Sequence, residues 1–211
     1  MNPTEAIRPT HVEVRLGTLA QNYDAIRAHV GAAEVMPVVK ANAYGHGLVE
    51  VSRHLAALGA TCFGVALLEE AVVLRQAGLT QPILVFGGVV ARQIPQFIEH
   101  DLMMAASSID KMRQIDEAAA VAKKKARVHL KIDTGMECIG VHWYSAEKLL
   151  EASLTFRNIE IAGIYSHFAN SDAEDLSSAK EQLARFLDVL EFYPKHGLKP
   201  PQRHIANSGG I

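Results

Sequence analysis

Cysteine, tryptophan, long apolar runs and a dominant charge sign are all scarce in this sequence. Its only cysteines, Cys62 and Cys138, lie far apart among apolar or small neighbours. They read as reduced, buried, inert thiols, because a disulfide framework needs more of them at closer spacing. Apolar runs such as Cys62 to Leu68 fall far short of the roughly 20 residues that a bilayer span requires, so no membrane partner is expected. Lys and Arg number 21 against 23 Asp and Glu, a formal net charge of −2. No basic field is available to hold nucleic acid. The opening stretch carries Pro3, Glu5, Pro9 and Glu13 without an apolar h-region, so no secretory leader is expected and a cytoplasmic location follows. The 10 histidines include no H-x-x-x-H pair and the cysteines no C-x-x-C pair, so spacing supports no metal site.

What is present is an ordinary globular composition, 49% hydrophobic over 211 residues, enough to bury one sizeable core. Small-molecule chemistry is the natural starting expectation. Short apolar or β-branched runs alternate with stretches of helical period, the pattern of parallel strands joined by helical crossovers. Strands are expected at Val35–Lys40, Cys62–Val65, Ile83–Phe86, Met103–Ala105, Val128–Ile132, Ile161–Ser166 and Arg203–Ala206. No G-x-G-x-x-G turn follows the first of them, which favours a (β/α)8 TIM-type barrel over an open doubly wound sheet. A complete barrel takes about 250 residues, so this α/β barrel is expected to be incomplete at its C-terminus, lacking its last unit. Residues 1–17 are set apart from the barrel at 18–211, because His11 to Leu16 alternates polar with apolar like a strand that pairs outside it.

Thr18 with Gln21, and Ser178 with Glu181, fit the capping box and predict two helix starts. Gly59 and Gly78 predict helix ends, and the cations Lys123 to Lys125 suit a helix C-terminus. Leu183, Phe186, Leu187 and Leu190 recur at helical spacing and predict a stripe packed against the sheet.

In a parallel barrel, chemistry sits at the C-terminal ends of the strands. Lys40 closes the first strand and precedes a loop with two glycines, Ala41-Asn42-Ala43-Tyr44-Gly45-His46-Gly47. Desolvation at such an edge disfavours the ammonium and leaves an amine able to condense with an aldehyde. A lysine simply reaching water is the plain alternative. The last segment, His204-Ile205-Ala206-Asn207-Ser208-Gly209-Gly210, offers a hydroxyl and unhindered amides suited to phosphate, Ser208 foremost, though it also fits an ordinary turn.

The run K-A-N-A-Y-G-H-G resembles the pyridoxal-lysine signature of the alanine racemase family, and further motifs of that family recur in order over essentially the whole chain. The resemblance implies pyridoxal 5′-phosphate carried on Lys40, which would also act as base on one face of an amino acid substrate, with Tyr44, Asn207, Ser208 and Gly209 around the phosphate. Lys131-Ile132-Asp133-Thr134-Gly135-Met136-Glu137-Cys138-Ile139-Gly140 is similar to the family's K-x-D-T-G-M-x-R-x-G segment, with Cys138 where the family has an arginine that donates to the cofactor's phenolic oxygen. A thiol is a weak donor and cannot replace a guanidinium. Lys131 matches a lysine that is carbamylated in many members and positions that arginine. Tyr165-Ser166-His167-Phe168-Ala169 resembles the S/T-H-F-A segment, which implies that His167 lies beside the pyridine ring. The resemblance further implies a homodimer with a C-terminal β domain and the opposite base beyond residue 211, alanine racemisation for cell-wall D-alanine, and an inactive chain by itself. A single-domain, non-catalytic pyridoxal-phosphate homeostasis protein and a related barrel decarboxylase are the alternatives.

Overall fold

The computed structural model describes residues 10–211. Along the chain run α1 (Leu16–Val30), a helical turn α2 (Lys40–Tyr44), α3 (Leu48–Ala57), β1 (Phe63–Val65), α4 (Leu68–Gln76), β2 (Ile83–Val85), α5 (Ile94–Glu99) and β3 (Met103–Ala106). They continue with α6 (Ile109–Ala122), β4 (Ala126–Asp133), β5 (Val141–His142), α7 (Ala146–Ser153), β6 (Ile159–Tyr165), α8 (Ser177–Leu190), α9 (Phe192–Lys195) and β7 (Gln202–His204). Each strand pairing is parallel, in the order β1-β2-β3-β4-β6-β7, with β5 beside the end of β4. The sheet curls until its ends approach: Gln202 on β7 donates through Nε2 to Glu34 Oε2 at 3.0 Å, just ahead of the first strand segment. This is the expected barrel, unfinished between β7 and that segment.

Alternation along β4 divides its surroundings. Val128, Leu130 and Ile132 are fully buried in the apolar core with Met112, Ile115 and Ala119 of α6. Each such aliphatic side chain removed from water contributes about 1.5–3 kcal/mol. The intervening His129, Lys131 and Asp133 face the other way, into the barrel, because successive side chains on a strand point to opposite faces.

Helix ends follow the glycines. Gly59 and Gly78 take φ of +92° and +88°, and the next amides close six-residue returns, Ala60 to Leu55 at 3.0 Å and Leu79 to Leu74 at 3.0 Å. Lys123 ends α6 in the same left-handed region.

Several expectations need correction. The first strand shrinks to a single bridge, Val38 to Gly64, since Pro37 has no N–H to donate and Lys40 already bends into α2. Residues 10–15 have no regular secondary structure and Leu16 opens α1, so the strand expected at His11–Leu16 does not form as such. Neither capping box forms as read. Arg15 caps α1 without a side-chain bond, and Asp175 Oδ1 accepts the Ser177 N–H at 2.9 Å near the start of α8. The α8 stripe is turned as well: Leu183 and Leu187 are 39% and 52% exposed, while Ala179, Gln182, Phe186 and Val189 face inward. Gln182, on the inward face, makes the three hydrogen bonds described below. Cys62 is buried as expected, but Cys138 is exposed, carried outward by a loop that wraps around Asp133. No helix among the described residues is long and apolar enough to cross a membrane.

Candidate active site

Lys40 is half-buried at the mouth of the barrel, and the backbone that follows it is unusual. Ala41, Asn42, Ala43 and Tyr44 all take φ between +52° and +56°, a full left-handed turn without a glycine. For L-residues this conformation costs roughly 1–2 kcal/mol each, so it persists only where neighbours over-determine it. The Ala43 N–H donates to Val39 O at 2.8 Å, and the Gly45 N–H donates to Ala41 O at 3.1 Å. Asn42 Oδ1 accepts the Leu48 N–H at 2.8 Å, fastening the turn to the start of α3. Glu70 on α4 reaches across to accept the Ala41 N–H at 2.5 Å. Tyr44, at the end of the turn, is 60% exposed.

Inside the barrel, β4, β6 and β7 bring together a stack of rings. The Tyr165 ring lies parallel to His204 with centroids 4.8 Å apart, and His204 Nε2 and His129 Nδ1 share a hydrogen bond at 2.9 Å. Gly163 leaves the space for His129; a Cβ there would fall 2.3 Å from Nδ1. Burial, and then the neighbouring Arg127, lowers His129 to about 4. Burial, His129 and Lys131 lower His204 to about 3. Both imidazoles are therefore neutral at physiological pH, one donating to the other.

Lys131 is buried, its Nζ 4.8 Å from the Tyr165 ring centroid. Burial lowers it to about 8, against the opposing pull of Asp133 and Cys138. His167, at the strand end after β6, is lowered by burial and then by the charges of Lys131 and Lys40. Two amines thus converge electrically on one imidazole. Tyr165 Oη is buried without a hydrogen-bond partner, and burial raises its hydroxyl above the usual range.

The loop after β4 is organised by Asp133. Burial would raise its carboxyl, but the amides of Gly135, Glu137, Met136 and Cys138 more than offset that and hold it below the usual range. Gly135 and Met136 donate to Oδ1 at 2.8 and 3.0 Å, and Cys138 donates to Oδ2 at 3.2 Å. Asp133, Glu137 and His142 also bring one ligand atom each within 4.8 Å of one another. The Asp133 carboxylate is already committed to amides, and Glu137 pairs with His142 at 3.7 Å.

Gln182 ties this loop to the next. Its Nε2 donates to Thr134 Oγ1 at 3.3 Å and to His167 O at 3.0 Å, and its Oε1 accepts the Ala169 N–H at 2.9 Å. After β7, Asn207 Oδ1 accepts from Ser171 Oγ at 2.5 Å and from the Gly210 N–H at 3.1 Å, so that amide serves the turn Ser208–Gly210. Ser208 and Gly209 lie exposed at the same end of the sheet as Lys40.

Sequence reasoning passed over His129, Tyr165, Gln182 and Glu70. The first was legible in the polar–apolar alternation of His129-Leu130-Lys131-Ile132-Asp133. The others act through contacts distant in the chain and left no local signal.

A parallel barrel whose strand ends gather amines, imidazoles, a hydroxyl and free amides is the scaffold of a small-molecule enzyme. The family model for the alanine racemase N-terminal domain matches residues 14–211. The chain is 42% identical over 209 residues to alanine racemase 2 of Caldanaerobacter subterraneus subsp. tengcongensis, covering 98% of this chain and 54% of that protein. It is 39% identical to the alanine racemase of Carboxydothermus hydrogenoformans, covering 97% and 55%. Among solved structures, the alanine racemase of Clostridium difficile 630 superimposes with a TM-score of 0.92 at 30% identity, covering 97% of this chain and 54% of the other. The chain belongs to the alanine racemase family and spans about half the length of the relatives it matches.

Proposed function

We propose that this chain is the cofactor-holding half of a pyridoxal 5′-phosphate-dependent racemase that interconverts L- and D-alanine. The observation that carries this reading is the placement of Lys40 at the mouth of the barrel, directly before a left-handed turn, Ala41 to Tyr44, that is fastened on both sides by hydrogen bonds. The residues present suit the group: a reachable amine for its aldehyde, a hydroxyl and free amides at Ser208 and Gly209 for its phosphate, and an unpartnered buried Tyr165 Oη nearby. Lys40 would hold the cofactor covalently, Tyr44, Ser208 and Gly209 its phosphate, and His167 one face of its ring. When bound, the cofactor supplies an electron sink that stabilises negative charge at the substrate α-carbon.

Lys40 then takes or returns the α-proton through Nζ on one face, a role that suits an amine at the edge of an apolar barrel. Racemisation needs a second base on the opposite face. That base would come from the remainder of the polypeptide, in a homodimer, so residues 1–211 alone would be inactive. Asn207 would stand beside Ser208 and Gly209, its Oδ1 holding the turn that carries them. Lys131, beside the Cys138 loop, stands where a carbamate could form. A C-terminal β domain would complete the protein. A cytoplasmic enzyme supplying D-alanine for the cell wall fits this reading.

Loading the intact polypeptide with pyridoxal 5′-phosphate, reducing it with borohydride and mapping peptides should place the pyridoxyl label on Lys40. Lys40→Ala should remove it. A label elsewhere, or none, overturns the assignment. Labelling on Lys40 without conversion of L-alanine to D-alanine would instead support a non-catalytic cofactor carrier.

A further inference from the structure

Lys40 is only as well aimed as the backbone behind it, and that backbone is held from an unexpected direction. Glu70 lies in the first turn of α4, where its Oε2 accepts the N–H of Ala66 at 2.9 Å and of Leu67 at 3.1 Å. This much is ordinary helix capping. Its other oxygen, Oε1, accepts the N–H of Ala41, the residue directly after Lys40, across 29 positions of sequence. Ala41 is also the first of the four left-handed residues, at φ 53° and ψ 51°. An alanine released from such a bond relaxes toward right-handed or extended backbone, and the side chain before it turns away with it.

Building on the functional reading above, we propose that Glu70 is a positioning residue for Lys40: one carboxylate locks the left-handed turn by its first amide and so fixes where the lysine amine points. The carboxylate suits this task because it only accepts, and three N–H donors converge on it; a glutamine amide would turn a donor toward at least one of them. Asn42 anchors the far side of the turn at Leu48, but nothing else among the described residues accepts from the Ala41 amide.

The test uses the intact polypeptide, loaded with pyridoxal 5′-phosphate. Condensation of the Lys40 amine with the cofactor aldehyde releases one water, and borohydride reduces the resulting C=N bond, leaving a mappable pyridoxyl-lysine. Glu70→Gln should lower the fraction labelled at Lys40 at least tenfold at limiting cofactor. Adding Ala41→Gly in the same chain should restore most of it, because glycine adopts left-handed backbone without the steric penalty. Rescue at position 41 separates positioning from simple capping of α4, which Ala41→Gly cannot repair. Glu70→Asp provides a second variant should Glu70→Gln fail to fold: it keeps a carboxylate at the helix start but is too short to reach Ala41, and the same loss of label is expected.

Labelling of either variant within twofold of wild type overturns the proposal, as does a loss that Ala41→Gly leaves unrepaired. Wild-type protein without label at Lys40 would overturn the functional reading itself, and the role of Glu70 with it.

Discussion

A methyl group at position 163 has no room. A Cβ there would lie 2.3–2.4 Å from atoms of the His129 ring, so Gly163→Ala must either expel that ring from its bond with His204 or shift β6. Overpacking of this kind costs about 1–3 kcal/mol, and thermal melting should fall by several degrees. The same pair sets a pH dependence. His129 and His204 are held neutral in the fold, near 4 and 3 against an ordinary 6.5, so the unfolded chain binds more protons than the folded one across that interval. Stability is therefore fully present above about pH 6.5 and is lost as pH falls toward 4. Urea titrations at pH 7, 5 and 4 should give steadily lower unfolding free energies; a flat profile would contradict the paired neutral imidazoles. The resemblance sets Cys138, in the loop around Asp133, at the position of an arginine. On the proposed function, Cys138→Arg in the intact polypeptide is expected to raise racemase turnover, read as D-alanine formed from L-alanine; equal or lower turnover would mean the loop is built around the thiol.

Elements differ in how openly the sequence declares them. The alternation in β4 and the glycines after α3 and α4 were legible because period and φ preference act locally. The left-handed turn after Lys40 was not, since alanine and tyrosine carry no such preference, a lone asparagine does not announce four left-handed residues, and distant groups hold the turn. α8 shows the same limit. Its leucines predict one buried face, yet the face turned inward is that of Ala179, Phe186 and Val189 with Gln182, which bonds to Thr134, His167 and Ala169. Lys40 was marked by its place at a strand end, and Lys131 and His167 by the motifs they share with the family, whereas Glu70 and Gln182 bond to the Lys40 turn and to the His167 segment from neighbouring helices. Gln182→Ala should therefore loosen two loops at once. Amide exchange should speed up around residues 134–138 and 167–170 together, with a destabilisation of about 1–3 kcal/mol from the lost buried bonds; faster exchange in only one loop would deny the link.

The molecule as a whole is a sheet with two unlike ends. Among the described residues β7 pairs with β6 alone, the first segment meets β1 through one bridge, and Leu183 and Leu187 of α8 remain exposed. Unpaired edges and apolar patches favour association. Residues 1–211 expressed alone should elute larger than a monomer, with light scattering rising with concentration; a monomer at high concentration would argue that the edges are protected. The Gln202–Glu34 contact gives this openness a definite mechanical character. With the 3.1 Å contact of His29 Nε2 to Ile211 O it closes the seam through exposed groups that are cheap to undo, so the wall of the cup can part there while the rings of β4, β6 and β7, all on one side of the gap, stay in register.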